Sequence, residues 1–210
     1  MSLIPQIQQK LNLLALKDSF ISDCLQEVQQ NHSELLGDIN SIIEHIYNIF
    51  LYNDIRLTSN PVLSSYSFDI KEDILEHAIL QCDEYSDIGN TVDDQFNETK
   101  NRMMKLSLTD GTTSIYGFES NHIDSICMRM KPGFKVALRQ VKVRRGVLYL
   151  NNSNIQVLGG DVEELVRFEE EKRSELERKY RPSYIPLTVR RTAQVPLGAV
   201  DVSEEESDDS

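Results

Sequence analysis

Residues 104–111 read Met-Lys-Leu-Ser-Leu-Thr-Asp-Gly, and residues 114–119 read Ser-Ile-Tyr-Gly-Phe-Glu. Met104, Leu106 and Leu108 alternate with Lys105, Ser107 and Thr109. A period of two with one apolar face marks a half-buried strand. Asp110-Gly111 follows at once, a short hairpin signal, because glycine accepts the positive φ that a tight turn requires. Ile115, Tyr116 and Phe118 then form the return strand.

The pattern continues on both sides. His122 to Met130 has the spacing of a short helix, ended by Pro132-Gly133. Val136 and Leu138 point one way and Val141 and Val143 the other. A phase flip inside one strand predicts a β-bulge near Arg139-Gln140, a device that lets a barrel turn a corner. Gly146 marks a turn, Val147 to Leu150 is apolar on both faces, as in a central strand, and Ile155 to Leu158 is the last strand. With Ile74 to Gln81 upstream, the stretch holds about five strands and one short helix between the third and fourth, which is the OB arrangement.

Upstream, Phe20, Cys24 and Val28, and then Ile39, Ile42, Ile43, Ile46, Tyr47 and Phe50, recur at helical spacing. Asp18 is the expected N-cap of the first of these helices. Downstream, Gly159-Gly160 ends the barrel, and Asp161 is the expected cap of a helix, with Glu164 at the capping-box position. The predicted fold is α+β: a small N-terminal helical bundle, a five-stranded OB-fold β-barrel and a C-terminal helix. Its divisions are 1–63 for the helices and junction, 64–168 for the barrel with an insertion loop at 83–100, 169–181 for the exposed end of the C-terminal helix, and 182–210 for a flexible acidic tail.

The chain has 210 residues and a net charge of −12, half of it carried by Asp201, Glu204, Glu205, Glu206, Asp208 and Asp209. An acidic protein does not coat DNA by default, since neutralising phosphates takes Lys and Arg. Cys24, Cys82 and Cys127 are odd in number and widely spaced, which fits a reducing compartment. No apolar run is long enough to span a membrane. There is no phosphate-binding glycine loop, no Gly-x-Ser-x-Gly and no His-Glu-x-x-His. His77/Cys82 and His122/Cys127 are spaced wider than usual zinc pairs, and the cysteines read as packing residues. The expectation is a protein without catalytic residues, cofactor or metal.

Two stretches carry opposite charge. Residues 83–100 separate the first two strands and hold Asp83, Glu84, Asp87, Asp93, Asp94 and Glu98, with the apolar Tyr85, Ile88, Val92 and Phe96 among them. Hairpin loops usually take about 2–5 residues, so this is an insertion, either a solvated loop or a partner-binding one. Residues 125–160 contain no acid but carry Arg129, Lys131, Lys135, Arg139, Lys142, Arg144 and Arg145. With Phe134 and Tyr149 nearby they could line a groove for a single strand, or they could be a solvated strand face.

The ordered set Leu-Thr-Asp-Gly (108–111), Gly-Phe-Glu (117–119), Lys-Pro-Gly (131–133), Arg-Gly-Val-Leu-Tyr-Leu (145–150) and Val-Leu-Gly-Gly-Asp-Val (157–162) resembles the amino-terminal OB-fold of the RecQ-mediated genome instability proteins, first subunit. Asn53-Asp54-Ile55-Arg56 followed by Pro61-Val62-Leu63 is similar to that family's junction between helices and barrel. The resemblance covers about residues 39–166, and the short chain resembles fungal members of the family. It implies a nuclear, non-catalytic scaffold that binds topoisomerase III and works with a RecQ-family helicase in dissolving double Holliday junctions during DNA repair, recombination and replication. It also implies that the insertion reaches into the topoisomerase gate, while DNA is bound weakly or through the complex. A sister family joins the same unit to a Tudor domain, but no Tudor-like aromatic cluster follows here. The rival expectation is a stand-alone single-stranded DNA-binding OB-fold protein working through the basic stretch.

Overall fold

A computed structural model describes residues 3–63, 71–90 and 102–180. The barrel is built around one long strand, β1 (Asp73–Asp87). Its first half pairs antiparallel with β4 (Lys135–Arg144), and its second half with β2 (Met104–Thr109). β2 pairs with β3 (Ser114–Glu119), β3 runs parallel to β5 (Val147–Leu150), and β5 returns to β4. The ring β1-β2-β3-β5-β4 is thus closed, each of its strands pairing with two others of the ring. This is the expected five-stranded OB barrel. A sixth strand, β6 (Ile155–Gly159), pairs with the start of β4.

The phase flip in β4 is present, and β1 shares it. Val136 and Leu138 are buried, as are Val141 and Val143, with Arg139 and Gln140 exposed between them. On β1 the buried set changes from Leu75 to Ala78 and Leu80. Both strands change phase together with no register shift between them, His77 opposite Arg139 and Leu75 opposite Val141, so the expected one-strand β-bulge at Arg139-Gln140 is absent. Gln140 adopts φ +50 and its side chain donates to Glu76. A second irregularity lies between Cys82 and Glu84 on β1. It ends the first inward phase at Cys82 and turns Tyr85 and Asp87 toward the interior.

Further sequence expectations need correction. β5 alternates, with Tyr149 39% exposed, and is not buried on both faces. β1 continues to Asp87, so residues 83–87 are strand rather than loop. Residues 122–130 form turns, not a helix. Glu119 accepts the Ile123 N–H, and Arg102 takes the carbonyls of Ile123 and Ile126, so the backbone groups are engaged elsewhere. The C-terminal helix α5 (Glu163–Tyr180) begins beyond Asp161, whose carboxylate instead meets Lys131 at 3.0 Å. Asp18 lies in the first turn of its helix, one residue after the N-cap position.

The helices α1 (Ile4–Lys10), α2 (Asp18–Asn31), α3 (Ile39–Tyr52) and α4 (Ile55–Thr58) form a layer against the barrel. Ile7, Ile21, Val28, Ile42, Ile46 and Phe50 share a cluster with Ile79 and Ala137, which point outward from β1 and β4. That second use of the sheet explains why residues 78–82 and 134–138 are buried without alternation. The barrel interior is a separate cluster around Leu80, Leu106, Leu108, Phe134, Leu138, Leu148 and Leu150. No described helix is long and apolar enough to cross a membrane.

Candidate partner interface

The segments that resemble the family are contact points between elements. Asp110, 1% exposed, accepts from Thr112 and Thr113 N–H in its own turn and from Val62 and Leu63 N–H in the junction (2.7–2.9 Å). Burial opposes its ionisation, but the four N–H donors outweigh that and hold the carboxyl below its ordinary range. Gly111 sits at φ +97, where a Cβ would lie 3.0 Å from Arg56 Cα. Lys-Pro-Gly and Leu-Gly-Gly-Asp-Val also meet each other. Val162 N–H donates to Pro132 O at 3.1 Å, and a Cβ on Gly133 would lie 2.4 Å from Val162 N. A Cβ on Gly160, at φ +81, would lie 2.1 Å from the Leu51 carbonyl oxygen.

The acidic stretch is mostly used internally. Asp83 accepts from Arg56 at 2.6 Å and from Gln81 at 2.7 Å, and Gln81 in turn receives Ile55 N–H. Glu84 pairs with Lys172 on α5. Tyr85 donates to the Met130 carbonyl and packs edge-on to Phe134, and burial pushes its phenol up to about 12. Asp87 is 3% exposed and binds both arms of the insertion: it accepts from Gly89 N–H (2.9 Å), Asn90 (2.5 Å) and Met103 N–H (3.0 Å). Ile88 N–H donates to Met103 O at 2.9 Å.

Beneath this stem lies a buried ion pair. Arg102 meets Glu119 at 2.5 Å, and their side chains are 5% and 2% exposed. Glu119 also accepts from Met104 and Ile123 N–H. Desolvation works against the carboxylate, but Arg102 and the two N–H donors prevail and hold the carboxyl below its usual range. The insertion therefore leaves the barrel from a fixed root. Of its expected contact residues, Ile88 is exposed, as is Met103 on the returning arm. Val92, Asp93, Asp94, Phe96 and Glu98 lie outside the described residues.

The basic stretch is dispersed. Lys135, expected on the surface, is fully buried, with Nζ donating to Leu51 O (3.1 Å) and Gly133 O (2.8 Å). Burial lowers its amine to about 8. It joins α3 to the barrel and has no access to a partner. Phe134, a stacking ring in the groove reading and a core aromatic in the alternative, is 1% exposed and lies in the core. Arg129 and Lys131 lie by α5, and Arg139 lies by the helical layer beside His77 and Tyr47. Lys142, Arg144 and Arg145 form a separate group, on the β4 end and the turn to β5.

Those cations continue into a row that composition does not show. Ile74, Lys142, Tyr149, Phe118 and Lys105 are consecutive cross-strand partners over β1, β4, β5, β3 and β2. Arg144, Val147, Tyr116 and Ser107 form the adjacent row. Tyr116 is 50% exposed and Tyr149 39%, and Lys105 Nζ lies 4.2 Å from the Tyr116 ring centre. Sequence reasoning missed Lys105, Tyr116 and Phe118, although strand alternation placed them opposite the core face. The His77/Cys82 and His122/Cys127 pairs form no cluster among the described residues, and Cys82 is enclosed in the barrel with its thiol raised by burial.

The family model described as "RMI1, N-terminal OB-fold domain" matches residues 63–173, more than half of the chain. The chain belongs to this family. Among its relatives, RecQ-mediated genome instability protein 1 of Oryza sativa subsp. japonica is 27% identical over 187 residues, 85% of this chain and 23% of that protein. The Arabidopsis thaliana protein of the same name is 31% identical over 132 residues, 61% of this chain and 20% of that one. Tudor domain-containing protein 3 of Xenopus tropicalis is 34% identical over 131 residues, 60% of this chain and 18% of that one. The matches thus span about a fifth of each of these relatives.

Proposed function

We propose that this RMI1-type protein is a non-catalytic scaffold of a RecQ helicase–topoisomerase III complex in the nucleus. It binds topoisomerase III through the barrel and the insertion after Ile88. It supports decatenation and double Holliday junction dissolution in DNA repair and recombination. The observation that carries this reading, together with family membership, is the root of the insertion. Asp87 ties the two arms together above the buried Arg102–Glu119 pair, so the barrel holds the ends of a long insertion in fixed positions. A rooted loop loses less conformational freedom on binding than a free one, which favours a specific protein contact.

The test is a calorimetric titration of the full chain into topoisomerase III of the same source. Saturation at one to one with submicromolar affinity is the expected result, while no heat at micromolar concentrations contradicts the scaffold reading.

A second reading has its own observation. The rows through Lys142–Tyr149–Phe118–Lys105 and Arg144–Val147–Tyr116 combine cations with exposed rings, the composition of a single-strand track. As a stand-alone binder the chain would show an affinity for oligonucleotides that falls steeply with salt. As a scaffold it would bind them weakly by itself.

A further inference from the structure

We propose that Glu27, His32 and His45 form a binding site for a divalent transition-metal ion of the zinc type, at the turn between α2 and α3. One ligand atom from each of the three residues lies within 4.8 Å of the others. Among the described residues this is the one such convergence of His, Cys, Asp and Glu. Zinc holds imidazole nitrogen at about 2.0–2.1 Å, so tetrahedral ligands sit about 3.3 Å apart. Closing the remaining distance takes side-chain rotation by the exposed Glu27 and the half-buried His32.

Four further observations point to a cation here. His45 Nε2 is shielded from solvent and has no hydrogen-bond partner among the described residues. A buried ring nitrogen left this way costs free energy that a metal bond would offset. His32 Nδ1 lies 3.4 Å from a Glu34 carboxylate oxygen. That is the pairing by which a carboxylate orients a metal-binding imidazole, with the other ring nitrogen free to ligate. The His32 and His45 rings approach to 4.9 Å between centres, tilted by 58°. His32 is also the C-cap of α2, where the helix dipole presents its negative end.

Two imidazoles and one carboxylate make a borderline donor set that suits zinc, cobalt or nickel better than magnesium or calcium. Water would complete the shell. A bound ion would fasten the last turn of α2 to α3, and with it the layer that covers Ile79 and Ala137. It would stabilise the native chain by mass action.

The test titrates Co²⁺ and then Zn²⁺ into the full chain after chelator treatment. The expected result is one equivalent of Co²⁺ with visible tetrahedral bands, no thiolate charge-transfer absorption, and displacement by Zn²⁺. His45→Gln, His32→Gln and Glu27→Gln should each weaken binding at least about tenfold. Cys127→Ser should leave it unchanged. Circular dichroism confirms the fold of each variant. Should the partly buried His45→Gln fail to fold, the other two, nearer the surface, carry the test. Absence of binding at micromolar metal overturns the proposal. So does affinity that survives His32→Gln and Glu27→Gln, or a thiolate spectrum lost in Cys127→Ser.

Discussion

The acidic run after Cys82 and the basic run after Ser125 look like counterparts in the sequence, but the fold uses them differently. Asp83, Glu84 and Asp87 are committed to Arg56, Lys172 and the stem of the insertion. Lys142 and Arg144 point outward from β4 and leave the core untouched, although Lys142 has a surface partner in Glu72. A run of like charge says nothing by itself about whether it holds the fold or meets a partner. Burial and the partner of each group decide that.

Substitutions should separate the two classes. Arg102→Ala leaves the Glu119 carboxylate buried without its partner, and such losses cost about 3–5 kcal/mol. Urea denaturation of the full chain should show this as a large fall in midpoint. A fall under about 1 kcal/mol would place the pair with ordinary surface bridges.

Acid should act through the same groups. Glu119 and Asp110 have carboxyl pKa values below their ordinary 4.5 and 3.8. The unfolded chain therefore binds protons first as pH falls. The stability these groups contribute is complete above those values and is lost as pH drops through the lower folded-state values. Thermal unfolding from pH 6 downward should show that decline, flattened in Asp110→Asn. An unchanged profile in that variant would remove Asp110 from the account.

Asp87→Ala opens the stem and removes bonds from Gly89, Asn90 and Met103, at a cost of about 1–3 kcal/mol. Hydrogen exchange should speed up at Gly89 and Met103 while the β3–β5 pairing stays protected. Glu84→Ala breaks an exposed pair with Lys172 and should cost less than about 1 kcal/mol. Lys142→Ala/Arg144→Ala should change stability least, by no more than about 0.5 kcal/mol. It should lower whatever oligonucleotide affinity the chain has and flatten its salt dependence.

The barrel was legible because its signals are local. Alternation at 104–109, positive-φ glycine at 111 and the phase flip at 138–141 each follow from strand geometry, and the order of the strands does the rest. Features that depend on contacts across the chain were not legible. Asp83 and Tyr85 read as loop because the strand pattern breaks at Cys82, but that break is a bulge and pairing continues to Asp87. Lys135 read as a surface cation because charge predicts exposure. Its burial depends on carbonyls from Leu51 and Gly133. Residues 122–130 have helical spacing, but Glu119 and Arg102 take the backbone groups a helix would use. The Lys105–Phe118–Tyr149–Lys142 row needed the parallel β3–β5 register, which no local pattern supplies.

The most direct measurement compares topoisomerase III binding and decatenation for two variants beside the parent chain. One replaces residues 91–100 with a short glycine-serine bridge, keeping Asp87, Arg102 and Met103. The other is Lys142→Ala/Arg144→Ala. If the rooted insertion is the working part of a scaffold, the first variant loses decatenation stimulation or binding, and the second keeps both. Full stimulation without the insertion, with loss in the basic-face variant, would contradict this and make the sheet face the working surface.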